Sequence, residues 1–534
     1  MPASLATRVR SRLPWAGAGV LASLVGIAAG HLAASLTVPA ASPVLAIGST
    51  VIDLTPTPVK EWAVAQFGTA DKPILVGSVM VGALLLAGLA GVLARRRFGL
   101  GAGLLVALVA VAALAAVLRP TAGPLDVVPA LVTAAVGLGA LWWLARGLGG
   151  LDGPDRREDE ALPVLRGSRG SAADGLAPRS PDQPSRRGVL VAAGVLAAAA
   201  AVMGSAGRWI AGRRTSPADV ALPAPVDPAP PFPSGVGDRV PGISPFRTPT
   251  GEFYRIDTRL SLPVIDLDGW SLTIDGDVER ELTFTFDDLA AMPLIERDIT
   301  LTCVSNDVGG PYVGGARWLG VRLTDLLDEA GVGRRADQIL STDVDGMTIS
   351  TPLDLATDGR DAMVAIGMNG AALPLEHGFP ARLVIPGLYG FISATKWVTR
   401  LTLTTYAEKE AYWTERGWAT DAPIKIASRI DTPKSFSEID AGDTFIGGVA
   451  WAQTRGIDRV EVQVDGGPWQ RATLGPSAGE DYWRQWYLPW RAEPGEHGIT
   501  VRAVTRDGEV QPPVKAMPFP DGASGLQRII VRVA

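Results

Sequence analysis

The chain has 534 residues, of which 47% are hydrophobic and 19% are charged, and its net charge at neutral pH is −6. This length exceeds one domain, the apolar share indicates a membrane portion, and the acidic balance excludes a basic surface for nucleic acid. The single cysteine, Cys303, excludes an intrachain disulfide, a zinc cluster and an all-cysteine iron–sulfur site. Of the three histidines, His31, His377 and His497, only the first lies in an apolar segment, so one protomer cannot build a bis-histidine haem within the membrane.

Five apolar runs of membrane-spanning length occur within the first 206 residues. They cover residues 15–36, 73–94, 99–118, 125–145 and 188–206. We therefore predict a four-span membrane domain over residues 1–145 and a fifth span over residues 188–206. Their Ala, Gly, Val and Leu content is typical of closely packed membrane helices, and five such runs are too many for buried helices of a soluble domain.

Arginines are concentrated in the loops on one side of these spans. They lie at residues 8, 10 and 12, at residues 95–97, and at eight positions between residues 146 and 187. The positive-inside rule puts the N-terminus and the 146–187 loop in the cytoplasm, so the fifth span delivers the rest of the chain outside. The 146–187 loop is polar and rich in Gly and Arg, which predicts poor order.

Residues 185–190, Ser-Arg-Arg-Gly-Val-Leu, run directly into the fifth span and resemble a twin-arginine export signal. Such a signal suits a domain that must acquire a cofactor in the cytoplasm and cross the membrane already folded. Because the segment lies inside the chain, we expect it to remain as an uncleaved anchor. The alternative is an ordinary cytoplasmic arginine pair beside a membrane helix.

Two folded regions are expected after a Pro-rich linker over residues 207–250, whose ten prolines between residues 217 and 249 predict an extended, semi-rigid spacer. Residues 251–421 combine short strands, as at 270–274 and 282–284, with an amphipathic helix at 323–330, without regular βα alternation. This pattern predicts an α+β domain. Residues 422–534 alternate apolar and polar residues between turns, which predicts an immunoglobulin-like sandwich without a disulfide.

Chemistry-bearing residues begin at the segment 300–307, Thr-Leu-Thr-Cys-Val-Ser-Asn-Asp. A strand-like run ends at Cys303, and a polar turn containing glycines follows. A thiol at a strand end beside free backbone amides can be stabilised as the thiolate. The alternative is an inert, buried cysteine.

A second segment, residues 377–397, reads His-Gly-Phe-Pro-Ala-Arg-Leu-Val-Ile-Pro-Gly-Leu-Tyr-Gly-Phe-Ile-Ser-Ala-Thr-Lys-Trp. Arg382 and Lys396, helped by the hydroxyls of Ser393 and Thr395, would make a good phosphate site. The alternative is that both cations are surface charges. Upstream, the sequence Met-Asn-Gly at residues 368–370 predicts a hairpin into this segment.

Together and in this order, these segments resemble the sulfite oxidase family of molybdopterin enzymes over residues 253–533. The resemblance implies a mononuclear molybdenum held by one pterin dithiolene and one cysteine, which would be Cys303. It implies that Asn306 orients the loop around this ligand. The residues that would hold the pterin and its phosphate are His377, Arg382, Ser393, Thr395 and Lys396.

The resemblance implies a further contact at one aspartate, and contacts at residues 253–258, which correspond to the family's first cofactor-binding segment. Tyr254 is expected to contact the cofactor, and Arg255 to face the substrate unless it is a surface arginine. Asp345 matches a pterin-contacting aspartate, with Asp343 as its rival.

The chain departs from the family at three points. Asp307 and Val308 stand where sulfite oxidases have a basic pair that helps to bind the sulfite anion. Trp418 stands where family members bring a tyrosine near the metal. A b5-type haem domain is not recognised, so the expected cofactor is molybdenum-molybdopterin without haem in the chain.

We therefore predict an extracytoplasmic, membrane-anchored oxidoreductase that performs two-electron chemistry of the oxygen-atom-transfer type on a small molecule. Its electrons would be exchanged with an external carrier, a cytochrome or a membrane quinone. The C-terminal sandwich resembles the family's dimerisation domain, so a homodimer through it is expected. The alternatives are a sulfoxide reductase, and an inactive scaffold or receptor that retains the cofactor fold.

Overall fold

A computed structural model describes residues 5–56, 59, 62, 66, 67, 71–149, 186–213, 217–260, 262, 263 and 265–534. The chain divides into two compact units, Met1–Arg214 with Thr258–Val264, and Thr215–Asp257 with Ile265–Ala534. Most of the predicted 146–187 loop lies outside the described residues, as does Ser185 of the proposed export signal.

The first unit is helical, and its described residues contain six α-helices. They are α1 (Leu5–Leu36), α2 (Pro43–Leu54), α3 (Asp71–Arg96), α4 (Phe98–Val117), α5 (Val128–Gly149) and α6 (Arg186–Arg213). All except α2 are long and apolar enough to cross a membrane, which confirms the five predicted runs and suggests a multi-pass membrane protein. The short apolar helix α2 was not predicted.

Small residues allow the helices of this unit to approach closely. A Cβ atom built at Gly26 of α1 would lie 2.7 Å from the carbonyl oxygen of Thr133 in α5, and one at Gly19 would meet the carbonyl oxygen of Ala87 in α3. Apolar helices in lipid gain stability from such close backbone packing rather than from a hydrophobic driving force. These glycines therefore place α1 between α3 and α5.

The second unit begins with an α+β domain, as predicted. One sheet has the order β2-β1-β10-β5-β6, and a second has the order β3-β4-β7-β8 with β9 paired to β7. The strands are β1 (Ser271–Gly276), β2 (Leu282–Thr285), β3 (Leu294–Thr302), β4 (Val313–Arg322), β5 (Gln338–Asp343), β6 (Thr348–Pro352), β7 (Met363–Met368), β8 (Ala371–Ala372), β9 (Arg382–Val384) and β10 (Val398–Thr404). The helices are α7 (Phe286–Ala291), α8 (Leu323–Ala330), α9 (Leu353–Ala356) and α10 (Gly390–Ser393).

Two local predictions in this domain are confirmed. Helix α8 buries the predicted apolar face and ends at Gly331, whose φ of 70° is left-handed. Strand β7 turns into β8 through Asn369 and Gly370, which both have positive φ, as a tight hairpin requires. The hairpin and β4 surround a core in which Trp318 is fully buried.

The C-terminal domain is the predicted β-sandwich. Its sheets have the orders β11-β13-β17-β16 and β12-β19-β18-β14-β15. Their strands are β11 (Ala427–Thr432), β12 (Glu438–Ile439), β13 (Gly442–Trp451), β14 (Ile457–Val464), β15 (Gln470–Arg471), β16 (Thr473–Leu474), β17 (Arg484–Ala492), β18 (Gly495–Thr505) and β19 (Gln527–Val533). The inward-facing residues of both sheets, with Trp486 among them, form one core.

The Pro-rich stretch predicted as a spacer is packed along the second unit. The backbone N–H of Val226 donates to the carbonyl of Leu294 at 2.9 Å. The carbonyl of Phe246 accepts from the Trp483 indole at 2.7 Å, and Val240 is buried. The prolines indicated an extended spacer. The apolar residues between them, Val240 among them, instead pack this stretch against the rest of the unit.

Candidate active site

Cys303 directly follows β3 and is 7% exposed. Its backbone N–H donates to the carbonyl of Tyr312 at 3.0 Å, and its carbonyl accepts from the N–H of Asn306 at 3.0 Å. The Asn306 side-chain oxygen accepts from the N–H of Tyr312 at 2.8 Å. Asn306 therefore closes the loop on itself, which is the geometry expected of a residue that orients the cysteine.

The thiol is less acidic than the sequence suggested. Burial raises the pKa of Cys303 above its usual value, while hydrogen bonds from Ser305 and the charge of Lys396 act in the opposite direction. The predicted help from turn amides is thus present, but burial outweighs it. A coordinated metal cation would compensate for burial and hold this sulfur as the thiolate.

Arg382, on β9, is 5% exposed and stacks over the Trp318 ring at 5.0 Å. Its guanidinium donates to the carbonyls of His377 at 3.1 Å and Ala394 at 3.4 Å. Among the described residues, no carboxylate lies within ion-pair distance of it. Burial lowers the pKa of Arg382 to about 10, so the side chain stays cationic at neutral pH. A buried cation of this kind is compensated by an anion, and a phosphate group fits.

Lys396 lies in an ion-pair cluster that the sequence analysis did not anticipate. Its Nζ is 2.7 Å from Asp257 Oδ2, and Arg255 Nε is 2.8 Å from the same oxygen. Burial lowers the pKa of Lys396 to about 7, and Asp257 partly offsets this effect. The Arg-x-Asp spacing was a usable signal, because residues two apart in an extended segment point to the same side.

His377 is buried beside the two cations and is neutral. Its Nε2 donates to the carbonyl of Thr250 at 3.1 Å, and its ring packs edge-on against Phe253. Burial, helped by the charge of Arg382, lowers the pKa of His377 to about 4. The other ring nitrogen, Nδ1, is then a hydrogen-bond acceptor rather than a second cation.

Gly378 is required between these groups. Its φ is 108°, and a Cβ atom there would lie 3.0 Å from Lys396 Cβ and 3.1 Å from Arg382 Cβ. A side chain would therefore push the two cationic residues away from His377.

Ser393 and Thr395 are buried, but their hydroxyls already have partners. The Ser393 hydroxyl lies 3.0 Å from the carbonyl oxygens of both Leu388 and Tyr389, and Thr395 Oγ1 is 2.5 Å from Ser341 Oγ. In this geometry the Ser393 hydroxyl donates to backbone rather than to a phosphate. Its predicted cofactor contact, like that of Thr395, stays a prediction.

The two rival aspartates have different surroundings. The carboxylate of Asp343 is buried and accepts from the backbone N–H groups of Asp345 and Met347, both at 2.9 Å, so it holds the β5–β6 turn. Asp345 is only partly buried. The predicted cofactor contact of Asp345 stays a prediction.

Tyr254 connects the cysteine with the cations. Its ring stacks on Phe253 at 5.1 Å. Burial raises the pKa of Tyr254, the Cys303 thiolate raises it further, and Arg382 lowers it. A Cβ atom built on Gly390 would lie 3.9 Å from the Tyr254 hydroxyl and 3.8 Å from the carbonyl oxygen of Thr302, the residue before Cys303. The phenol therefore lies beside the start of the cysteine loop, and Phe253, on which it stacks, packs against the Trp318 ring that Arg382 covers.

Trp418 lies in an aromatic cluster and is 8% exposed. Its ring centroid is 5.5 Å from that of Phe391, in α10, and 5.2 Å from that of Phe519. Tyr389, just before α10, is close enough to Cys303 for the thiolate to add to the rise in its pKa that burial causes. Trp418 thus packs against α10, its predicted place near the metal stays a prediction, and Tyr389 and Phe519 were not anticipated.

The residues present fit a molybdopterin cofactor. Cys303 offers a soft, buried sulfur, and Arg382 is a buried cation that calls for an anion. The Trp418 indole N–H and the Thr302 hydroxyl are buried polar groups with no hydrogen-bond partner among the described residues. Unsatisfied groups of this kind in a site mark contacts that a ligand completes.

Comparison with known proteins shows which family the catalytic region resembles. Residues 259–413 match the oxidoreductase molybdopterin binding domain. Mitochondrial sulfite oxidase of Rattus norvegicus is 31% identical over 319 residues, which cover 50% of this chain and 57% of that protein. Nitrate reductase [NADH] 2 of Nicotiana tabacum is 28% identical over 277 residues, covering 41% of this chain and 30% of the relative. The solved sulfane dehydrogenase SoxCD from Paracoccus pantotrophus matches at 26% identity with a TM-score of 0.48, covering 54% of this chain and 81% of that one.

The matched region spans little more than half the length of the sulfite oxidases. Residues 259–413 include the cysteine loop, Arg382, Lys396 and the β7–β8 hairpin. Residues 259–413 thus form an oxidoreductase molybdopterin binding domain, and the region that contains them is similar to sulfite oxidases.

Proposed function

We propose that this chain is a membrane-anchored enzyme that performs two-electron, oxygen-atom-transfer chemistry at a molybdenum ligated by Cys303. The observation that supports this most strongly is that the cysteine loop and a buried arginine, without a carboxylate partner among the described residues, both lie beside the stacked rings of Phe253 and Tyr254. A soft metal ligand and an anion site are thus close enough to serve one cofactor.

When bound, molybdopterin supplies the redox chemistry and the remaining sulfur ligands of the metal. The protein would hold it through a few defined contacts. Cys303 would ligate the metal, Asn306 would keep the loop closed, and Arg382 and Lys396 would bind the phosphate. Neutral His377 would accept a hydrogen bond from the pterin at Nδ1.

The two electrons of each turnover would be exchanged with an external carrier, a cytochrome or a quinone. The five apolar helices support a location at the bilayer, where both kinds of carrier are available. We further propose that the catalytic unit lies on the extracytoplasmic side and that the sandwich supports a homodimer.

Metal analysis tests the enzymatic proposal against an inactive scaffold. Purified full-length protein should contain molybdenum and release a pterin, and turnover with an artificial electron donor or acceptor should follow the metal content. Folded protein that never contains molybdenum and shows no activity in oxygen-transfer assays would favour the inactive scaffold.

The topology can be tested with reporter fusions at Gly170 and at the C-terminus. We expect the two positions to report opposite compartments, because the arginine distribution puts the 146–187 loop inside. Replacing Arg186 and Arg187 by lysine should trap the catalytic unit inside if the segment is an export signal. Two reporters in the same compartment would contradict the proposal.

A second candidate, reduction of a neutral oxo compound such as a sulfoxide, is favoured by the charges near the site. Arg255, the expected substrate cation, is paired with Asp257 at 2.8 Å. Asp307, in the position of the family's basic pair, is exposed at the cysteine loop and 3.7 Å from Lys515. In such a reduction, the substrate oxygen combines with two electrons and two protons to form water, and the reduced compound is released.

We accordingly expect the enzyme to oxidise sulfite poorly. A small dianion entering a partly desolvated pocket needs nearby positive charge that is not already neutralised. Steady-state turnover with sulfite and an artificial acceptor, compared with sulfoxides and a reduced dye, measures this. Efficient sulfite turnover with a micromolar KM would contradict the expectation, and Arg255→Ala should then abolish that activity.

A further inference from the structure

The connection between β18 and β19, residues 506–526, extends from the C-terminal sandwich to the cysteine site. Midway along it, Lys515 pairs with Asp307, four residues after Cys303, at 3.7 Å. Near its end, a Cβ atom on Gly522 would lie 2.5 Å from the ring of Tyr389. The next residue, Gly390, adjoins the cysteine loop, because a Cβ atom there would lie 3.8 Å from the carbonyl oxygen of Thr302. Between these contacts, the carbonyl of Pro520 accepts from the N–H of Ala419 at 3.2 Å. The connection thus lies along one side of the site.

Phe519 is the aromatic residue of this connection. Its ring meets that of Trp418 edge-on at 5.2 Å, and Phe391 packs against Trp418 at 5.5 Å. Phe519 is nevertheless 46% exposed, and Val514 and Met517 on the same connection are even more exposed. An apolar surface left open beside a buried site is typical of a ligand-contacting wall.

A polar donor lies within this aromatic surface. The indole N–H of Trp418 is buried and has no acceptor among the described residues. Two cations of the site, Arg255 and Lys396, both pair with Asp257. Arg382 is assigned to the cofactor phosphate, so the aromatic surface offers one neutral hydrogen-bond donor and apolar rings rather than a positive charge that is free for the substrate.

We propose that Phe519, supplied by the C-terminal domain, determines substrate specificity together with Trp418. The substrate is a neutral molecule in which a hydrogen-bond-accepting oxygen is attached next to an aryl or alkyl group. The Trp418 N–H donates to that oxygen, and the Phe519 ring contacts the apolar group. This inference rests on the proposed oxygen-transfer function and names its substrate class.

Calorimetric binding of two sulfones to the full-length, molybdenum-loaded protein in detergent tests the inference without turnover. Methyl phenyl sulfone and dimethyl sulfone carry the same oxygens and differ only in the aryl group. We expect the wild type to bind methyl phenyl sulfone about tenfold more tightly, and Phe519→Ala to remove that preference, since an apolar substituent in a pocket contributes a factor of this order. Trp418→Phe, which keeps an aromatic ring but lacks the N–H, should weaken both sulfones by a similar factor.

Phe436→Ala is the matched control, because Phe436 is 83% exposed on another loop of the same domain. It should leave both dissociation constants unchanged. Wild-type protein that binds neither sulfone, or Phe519→Ala protein that keeps the aryl preference, would overturn the inference. Failure of the proposed function would appear differently, as protein without molybdenum or without oxygen-transfer turnover.

Discussion

Cys303→Ser is expected to lower turnover by at least about a thousandfold, or ~4 kcal/mol of transition-state stabilisation. A serine hydroxyl is a harder and less electron-donating ligand than a thiolate, so the redox behaviour of the metal changes. The loop should keep its shape, because its hydrogen bonds to Tyr312 and Asn306 use backbone and amide atoms and not the sulfur. Steady-state turnover with an artificial electron carrier measures the loss.

Pterin content is the control for this variant, since the contacts of Arg382 and Lys396 do not involve the cysteine side chain. A variant that keeps its pterin and its thermal midpoint but loses turnover would support ligation. Full activity of Cys303→Ser would mean that the cysteine is an inert core residue.

Arg382→Ala is expected to lower cofactor occupancy by about tenfold or more, since a charge-assisted contact to phosphate contributes ~1.5–3 kcal/mol. Its effect on the cofactor-free protein should be small or even stabilising, because a buried cation without a carboxylate partner is removed. Molybdenum analysis and pterin fluorescence measure occupancy, and thermal unfolding of the cofactor-free form measures stability.

Arg335→Ala is the matched control for this variant. Arg335 lies in the same domain, its side chain is 77% exposed and it pairs with Asp277. It should keep full occupancy, because exposed ion pairs contribute little and this one is not near the cations of the site. If both variants had the same cofactor occupancy, Arg382 would not be part of the phosphate site.

The elements that could be predicted are those encoded by local patterns. Helix α8 follows from its apolar spacing and from Gly331, and the β7–β8 hairpin follows from Asn369 and Gly370. The five long helices follow from their length and composition. The type and order of the cofactor residues were recognisable as a family resemblance, although no local pattern indicates what Arg382 contacts.

The contacts that could not be predicted join residues far apart in the chain. Lys396 and Asp257 are separated by 139 positions, and Phe519 reaches Trp418 from another domain. The partners of the Ser393 hydroxyl could likewise not be predicted from the sequence, because its donation to a nearby carbonyl depends on how α10 is placed. Composition identified the Pro-rich stretch at the start of the second unit, but not the surface on which Val240 packs.

X-ray absorption at the molybdenum edge, on full-length wild type and Cys303→Ser, tests the central proposal most directly. We expect molybdenum in the wild type with sulfur neighbours from the cofactor and from Cys303, and one sulfur neighbour fewer in the variant. An unchanged sulfur count in the variant would show that Cys303 is not a ligand. Wild-type protein purified without molybdenum would contradict the proposed enzyme altogether.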